Sequence, residues 1–186
     1  MRKLVLGVVV FASLIACDSE KKDAKQVAMM TGVAPLSLNA ITLMVPDGWQ
    51  GQEPSSKMRQ AQYLLPRQEG DTEDAELVVF YFGSGNAGSV EANLERWRGQ
   101  MKGAQGETTK GTANGMNVTT LDVTGTYVQS MGPMMKAGDT KPDYRMVASI
   151  VESPAGAYYF KLTGPGHTVA HWNDSFAAFI ASAKGS

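Results

Sequence analysis

The chain has 186 residues, 43% of them hydrophobic, with 17 Lys and Arg against 18 Asp and Glu and a formal net charge of −1. That length suits one ordinary domain, and the balanced charge excludes both a disordered polyelectrolyte and the clustered Lys/Arg that nucleic-acid phosphates demand, so no nucleic-acid partner is expected. A single cysteine, Cys17, excludes an internal disulfide and any multi-cysteine zinc or iron–sulfur site.

Taken in chain order, Met1-Arg2-Lys3 is a short basic start, and Leu4 to Ile15 (LVLGVVVFASLI) is apolar or small throughout. As a helix this stretch reaches roughly 18 Å, short of the roughly 30 Å hydrocarbon core of a bilayer, so it reads as the core of a signal peptide. Leu14-Ile15-Ala16-Cys17 then resembles the lipobox of bacterial lipoproteins. The resemblance implies cleavage after Ala16, a diacylglyceryl thioether on the Cys17 thiol and acylation of the new amino terminus by a chain such as palmitate. Removing Met1 to Ala16 takes away Arg2 and Lys3 and leaves 15 basic and 18 acidic side chains. With no general attraction to anionic lipid, the acyl chains must do the anchoring. Asp18 resembles the residue that keeps lipoproteins of some enteric bacteria in the inner membrane; the rule differs among bacteria, and both membranes stay open.

The expected organisation is a signal peptide over 1–16, a lipidated amino terminus and tether over 17–37, and one domain over 38–186. The tether is polar and of mixed charge, without a sustained apolar face. In the domain, Ile41 to Val45 predicts a strand that ends at the Pro46-Asp47-Gly48 turn signal, followed by Trp49. Met58 to Leu65 predicts a second strand, and Glu76 to Phe82 (ELVVFYF) a central one buried on both faces. Over Ser89 to Met101 the period changes: Val90, Leu94, Trp97 and Met101 share one side, which predicts an amphipathic helix with Ser89 as N-cap. Gly103 to Gly115 reads as a loop or edge, and Asn117 to Tyr127 as strand. After an interruption over Ser130 to Pro142, Tyr144 to Glu152 and Ala157 to Thr163 flank the hairpin signal Ser153-Pro154-Ala155-Gly156. The chain closes with a helix whose stripe is Val169, Trp172, Phe176, Phe179 and Ile180. Three strands, a helix, three strands and a helix predict an α+β domain: a mainly antiparallel sheet of about six strands packed against two principal helices.

The Val45-Pro46-Asp47-Gly48-Trp49 segment, the Glu76 to Phe82 strand and the terminal Tyr158 to Ser182 strand-helix with Phe176 and Phe179 resemble the Mog1/PsbP-like group. That group has an antiparallel sheet packed against helices and includes secreted and lipid-anchored bacterial members. Its members act mainly as binding or assembly factors without a shared catalytic set, so the resemblance implies the fold and carries over no functional residue.

Candidate sites compete with plainer readings. Gly83-Ser84-Gly85-Asn86-Ala87-Gly88 matches G-x-G-x-x-G between a strand and a helix, but the dinucleotide fingerprint needs a second parallel strand, and Gly103 to Lys110 offers no apolar run for one. A glycine-rich turn is expected. His167 and His171, spaced i, i+4 with Asp174 three further on, have a spacing that can hold zinc or copper, yet no third imidazole or thiolate is present. Met131, Met134 and Met135 form a thioether cluster that can bind copper(I) or serve as an apolar contact patch; Met29-Met30 is too isolated to add to it. Ser55-Ser56-Lys57 lacks the S-x-x-K spacing. Glu73, Asp74 and Glu76 read as a solvated edge that guards an apolar strand. Trp49, Trp97 and Trp172 with Tyr81, Tyr158 and Tyr159 could line an apolar cleft or fill the core.

With no catalytic constellation, no metal site and no cofactor expected, the sequence points to a lipid-anchored extracytoplasmic module of the cell envelope. It would bind a partner or help assemble an envelope complex, the membrane being reached through the lipid on Cys17. The alternative is a copper or small-ligand carrier that uses the Met131 to Met135 loop or His167 and His171.

Overall fold

The structure, a computed structural model, describes residues 34–85, 87–129 and 139–186. In chain order these form β1 (Ala34–Leu38), β2 (Ile41–Val45), β3 (Gln50–Gln52), β4 (Arg59–Leu65), β5 (Ala75–Tyr81), α1 (Val90–Arg98), β6 (Met101–Ala113), β7 (Met116–Val128), β8 (Thr140–Ser153), β9 (Gly156–Pro165), α2 (Gly166–Ala181) and β10 (Lys184–Gly185). Seven strands make one sheet in the order β3-β4-β5-β9-β8-β7-β6, and β1, β2 and β10 make a small second sheet. Every pairing is antiparallel. The described residues therefore form the expected α+β arrangement of antiparallel strands and two helices. Among the described residues no helix is long and apolar enough to cross a membrane.

The large sheet is apolar on both faces because its central strands, β5, β9 and β8, carry near-continuous apolar runs. One face packs Leu77, Val79, Phe160 and Leu162 against Val169, Phe176, Phe179 and Ile180 of α2 and against Ile41 and Leu43 of the small sheet. The other packs Leu121, Val123, Met146 and Ile150 beneath Trp97 of the short helix α1. Phe179 is fully buried, with its ring 5.1 Å from Trp49 and 5.7 Å from Phe160.

Two expectations are corrected and one is narrowed. Among the described residues the strands number ten rather than about six, because β3, β6 and β10 lie in segments with little apolar alternation. Of the two readings of Gly103 to Gly115, the edge is the one found: residues 103–113 lie in the thirteen-residue edge strand β6, hydrogen-bonded to β7. The residues between them, Asn114 and Gly115, have φ of +47° and +85°, the left-handed pair that a two-residue hairpin requires. Finally, α1 ends at Arg98, and Met101 opens β6 instead of closing the helix. Strand β1 occupies Ala34 to Leu38, residues that reach into the segment read as tether.

Local chemistry places the helices. Ser89 caps α1 as expected, its hydroxyl accepting from Ala92 N at 3.1 Å. Pro165 at the start of α2 offers no capping side chain. Asp71, from the loop after β4, fills that role by accepting from the Thr168 backbone N–H at 2.8 Å and from the Thr168 hydroxyl. Asp71→Ala is expected to destabilise the fold by about 1–2 kcal/mol, the usual cost of a lost helix cap, seen as a lower midpoint in urea with unchanged slope. A midpoint equal to that of the wild type would show that Asp71 does not hold α2.

Candidate functional site

Strand β9 reads GAYYFKLTGP, in which Lys161 is the one charge in an otherwise apolar strand. It is flanked by Val78 on β5 and Ala148 on β8, so its side chain rises from the middle of the sheet on the face that α1 partly covers. The Lys161 ammonium donates to Gln100 Oε1 at 2.9 Å and to the Tyr127 hydroxyl at 3.4 Å, and it stands 5.3 Å from the centroid of the Tyr127 ring. Burial pulls its pKa down to about 8; Glu76 acts in the opposite direction, while Arg59 and Arg96 push it further down.

Its neighbours on this face are polar and ordered. Glu76 on β5 accepts from Arg59 at 2.9 Å and from Gln62 at 2.8 Å, both on β4. Thr163, two residues beyond Lys161 on the same side of β9, pairs with Glu76 and Met146 across the sheet, and its buried hydroxyl has no hydrogen-bond partner. Tyr127 stacks on Tyr144 with centroids 5.8 Å apart and planes 6° from parallel. Lys141 pairs with Glu73 and lies 5.5 Å from the Tyr144 ring centroid. The hydrogen bonds from Lys141 and Tyr144 hold the Glu73 carboxyl below the ordinary range, while burial and Glu73 push the Tyr144 phenol up. Burial likewise raises the Tyr127 phenol.

On the opposite side of the sheet a shallow open cleft of about 760 Å³ is lined by Gln105, Glu107, Asp122, Thr124, Arg145 and Gly166. Its floor is the two-pronged Arg145–Asp122 ion pair, at 2.8 and 2.6 Å, in which each charge already satisfies the other. The Lys161 face is the stronger candidate because its cation and a buried hydroxyl are left under-partnered.

The sequence matches no protein-family profile and no curated protein. Among solved structures, the chain is similar to the cyanobacterial PsbP protein (CyanoP) of Synechocystis, with 13% identity over 93% of this chain and 99% of that one and a TM-score of 0.52. The fold is PsbP-like. LpqN of Mycobacterium tuberculosis, described as involved in cell envelope biogenesis, shares it at 16% identity over 82% of this chain and 90% of its own, with a TM-score of 0.51. A Pseudomonas aeruginosa protein of unknown function aligns at 16% identity over 82% of this chain and 96% of that one, with a TM-score of 0.48.

The other candidates stand as follows in the PsbP-like domain. Cys17, Met29-Met30 and the Met131 to Met135 cluster lie outside the described residues. His167 and His171 sit one turn apart near the start of α2, both exposed, with the His171 ring edge-on to Trp172. Among the described residues no three His, Cys, Asp or Glu side chains converge as a metal set. The glycines of Gly83 to Gly88 do make a turn: Gly83, Gly85 and Gly88 have positive φ, and buried Asn93 donates back to Ala87 O and Ser89 O. An all-antiparallel sheet has no place for the parallel unit of a dinucleotide fold. Ser55 and Ser56 bracket the turn into β4, where Ser55 N donates to Gln62 and Ser56 O accepts from Arg59 N.

The acidic group is corrected as well. β5 is an inner strand and not an edge, and Glu73, Asp74 and Glu76, though partly solvated, are each engaged, by Lys141, the Arg67 N–H and Arg59 respectively. The six aromatics do not line one cleft: Trp49, Tyr81, Tyr158 and Trp172 join the core beneath α2, and Trp97 and Tyr159 the core beneath α1. Trp172 is half-buried and donates its indole N–H to Pro66 O at 2.9 Å. The one signal for Lys161 was a lone charge inside an apolar strand; its partners were invisible because they come from β4, β5, β7 and the end of α1.

Proposed function

We propose that the protein is a lipid-anchored extracytoplasmic binding module of the cell envelope, with its PsbP-like domain held at a bilayer through acyl chains on Cys17. The observation that carries this is the position of the chain's single cysteine, directly after small residues and a twelve-residue apolar stretch. The fold shared with LpqN, a protein described as involved in cell envelope biogenesis, supports the compartment. On the Lys161 face, cations, a buried hydroxyl and a stacked tyrosine pair gather polar donors beside aromatic rings, which suits recognition, and the reading is of a protein that binds rather than one that turns over a substrate.

Metabolic labelling with a palmitate analogue, followed by membrane fractionation, tests the anchor. Wild type is expected in the membrane fraction with label on its amino-terminal peptide, and Cys17→Ala unlabelled and largely released, because two or three acyl chains bind stably where none gives no hold. An unlabelled wild type, or a Cys17→Ala chain that stays with the membrane, overturns the anchor. Crosslinking in the native envelope tests the partner: a protein captured by wild type and diminished with Cys17→Ala supports an assembly role.

A further inference from the structure

Buried ammonium groups are normally neutralised by a carboxylate. Lys161 is not: among the described residues the ion pairs are Arg59–Glu76, Lys141–Glu73 and Arg145–Asp122, and the ammonium has only a neutral amide and a phenol as acceptors. The nearest acidic group on this face, Glu76, is already held by Arg59 and Gln62. The buried Thr163 hydroxyl is a second donor without an acceptor, placed two residues along the same strand, about 7 Å away at the backbone. Arg59 on β4 and Arg96 on α1 act on Lys161 as further positive charge. Lys161 thus has no carboxylate of its own, and the hydroxyl two residues along its strand is left without a partner. The other orphan donor, Trp49 Nε1, is packed between the Tyr63 and Phe179 rings on the opposite face and has no such company.

We propose that this face binds an oxyanion, the carboxylate or phosphate group of its ligand, on the Lys161 ammonium, with the Thr163 hydroxyl as second donor and Arg59 and Arg96 as flanking charge. The inference rests on the reading of the domain as a binding module and names the chemistry of what it binds. The anion would supply the missing counter-charge, and the Tyr127–Tyr144 stack beside it offers an apolar wall for the remainder of the ligand. Because the site requires the ammonium, affinity should fall as pH rises past about 8, where the free lysine loses its proton. Glu76, Arg59, Arg96 and Tyr127 are the charged and titratable groups that face it, from β5, β4, α1 and β7.

The test uses the full chain in an uncharged detergent and low-chloride buffer, with lysine side chains isotopically labelled and the Lys161 signal identified by its loss in Lys161→Met. Inorganic phosphate and acetate are the probes. Saturable shifts of the Lys161 signal near pH 7 are expected, with an apparent pKa that rises on saturation because the anion favours the charged amine. Affinity for phosphate, read by titration calorimetry so that the variant without the lysine can be measured, should weaken at least about tenfold in Lys161→Met and several-fold in Thr163→Val, a near-isosteric change that removes only the hydroxyl. Competition by phosphatidylglycerol bicelles would assign the anion to a lipid headgroup, and competition by free phosphate alone to a soluble ligand; either supports the site. Unchanged affinity in Lys161→Met, or no saturable shift with either probe, overturns it. Should Lys161→Met not fold, Thr163→Val and the wild-type Lys161 signal decide. Binding together with a Cys17→Ala chain that remains on the membrane would keep the oxyanion site and sink the anchor; anchoring without binding does the reverse.

Discussion

Lys161→Met is expected to stabilise the fold at pH 7 by about 2–3 kcal/mol, although it removes two hydrogen bonds from the middle of the sheet. A lysine has a pKa of 10.5 when solvated and about 8 in this fold. Between these values the unfolded chain binds more protons than the folded one, so this group makes wild-type stability rise with pH across that window. Below about pH 8 both states are protonated and the folded protein carries the whole cost of burying the charge; above about 10.5 both are neutral and the cost is gone. Methionine keeps the apolar stem and carries no charge. Urea unfolding of both proteins in a buffer free of phosphate and carboxylate should therefore show the variant ahead at pH 7 and the gap closing toward pH 10. Added phosphate should narrow the gap at pH 7 by stabilising the wild type alone. A variant no more stable than wild type at pH 7 would show that the ammonium is adequately neutralised as it stands.

The second large effect has the opposite sign. Gly106 pairs with Val123 just beyond the β6–β7 register shift between Lys102 and Gln105, and its φ is +142°. A Cβ there would stand 2.0 Å from Asp122 O and 2.9 Å from Val123 Cα, both backbone atoms of the paired strand. Neither can swing aside as a side chain would, so β6 must part from β7 and lose flanking hydrogen bonds. Gly106→Ala is expected to cost about 3 kcal/mol or more, a fall in Tm of roughly 6–12 °C for a domain of this size. Gly111, on the same edge strand with nothing within 4 Å of its would-be Cβ, supplies the control: Gly111→Ala should change stability by less than about 0.5 kcal/mol. Equal melting temperatures for the two variants would mean that the close approach at Gly106 is not a constraint. The comparison also bears on the cleft, since Gly106 and Asp122 both line it.

Elements whose stability is written locally were legible in the sequence. The helix under Ser89 and the terminal helix declare themselves by a 3.6-residue stripe and, for the first, by its cap; β5 and β9 do so by apolar runs that can only be buried. Strand β6 was not, because an edge strand of Gly, Thr and Lys holds its shape by hydrogen bonds to β7, and those depend on chain pairing rather than on its own composition. Asn114-Gly115 was the available signal for that hairpin, and its φ values show why those two residues were needed.

The division is sharper for the site. Sequence alone determined the class of the domain, the apolar stripes of both helices and the place of the one cysteine, since periodicity, propensity and a motif within four residues are all short-range properties. Lys161, a lone charge within an apolar strand, was present in the sequence but singled out nothing by itself. Only the tertiary structure decided that Arg59, Glu76, Gln100, Tyr127 and Thr163 gather around that lysine, that its nearest carboxylate is already engaged, and that the aromatics divide between two cores. Those facts follow from the order β4-β5-β9-β8-β7, which brings distant segments together, and electrostatic partnership is decided by distances across a sheet that no spacing along the chain records.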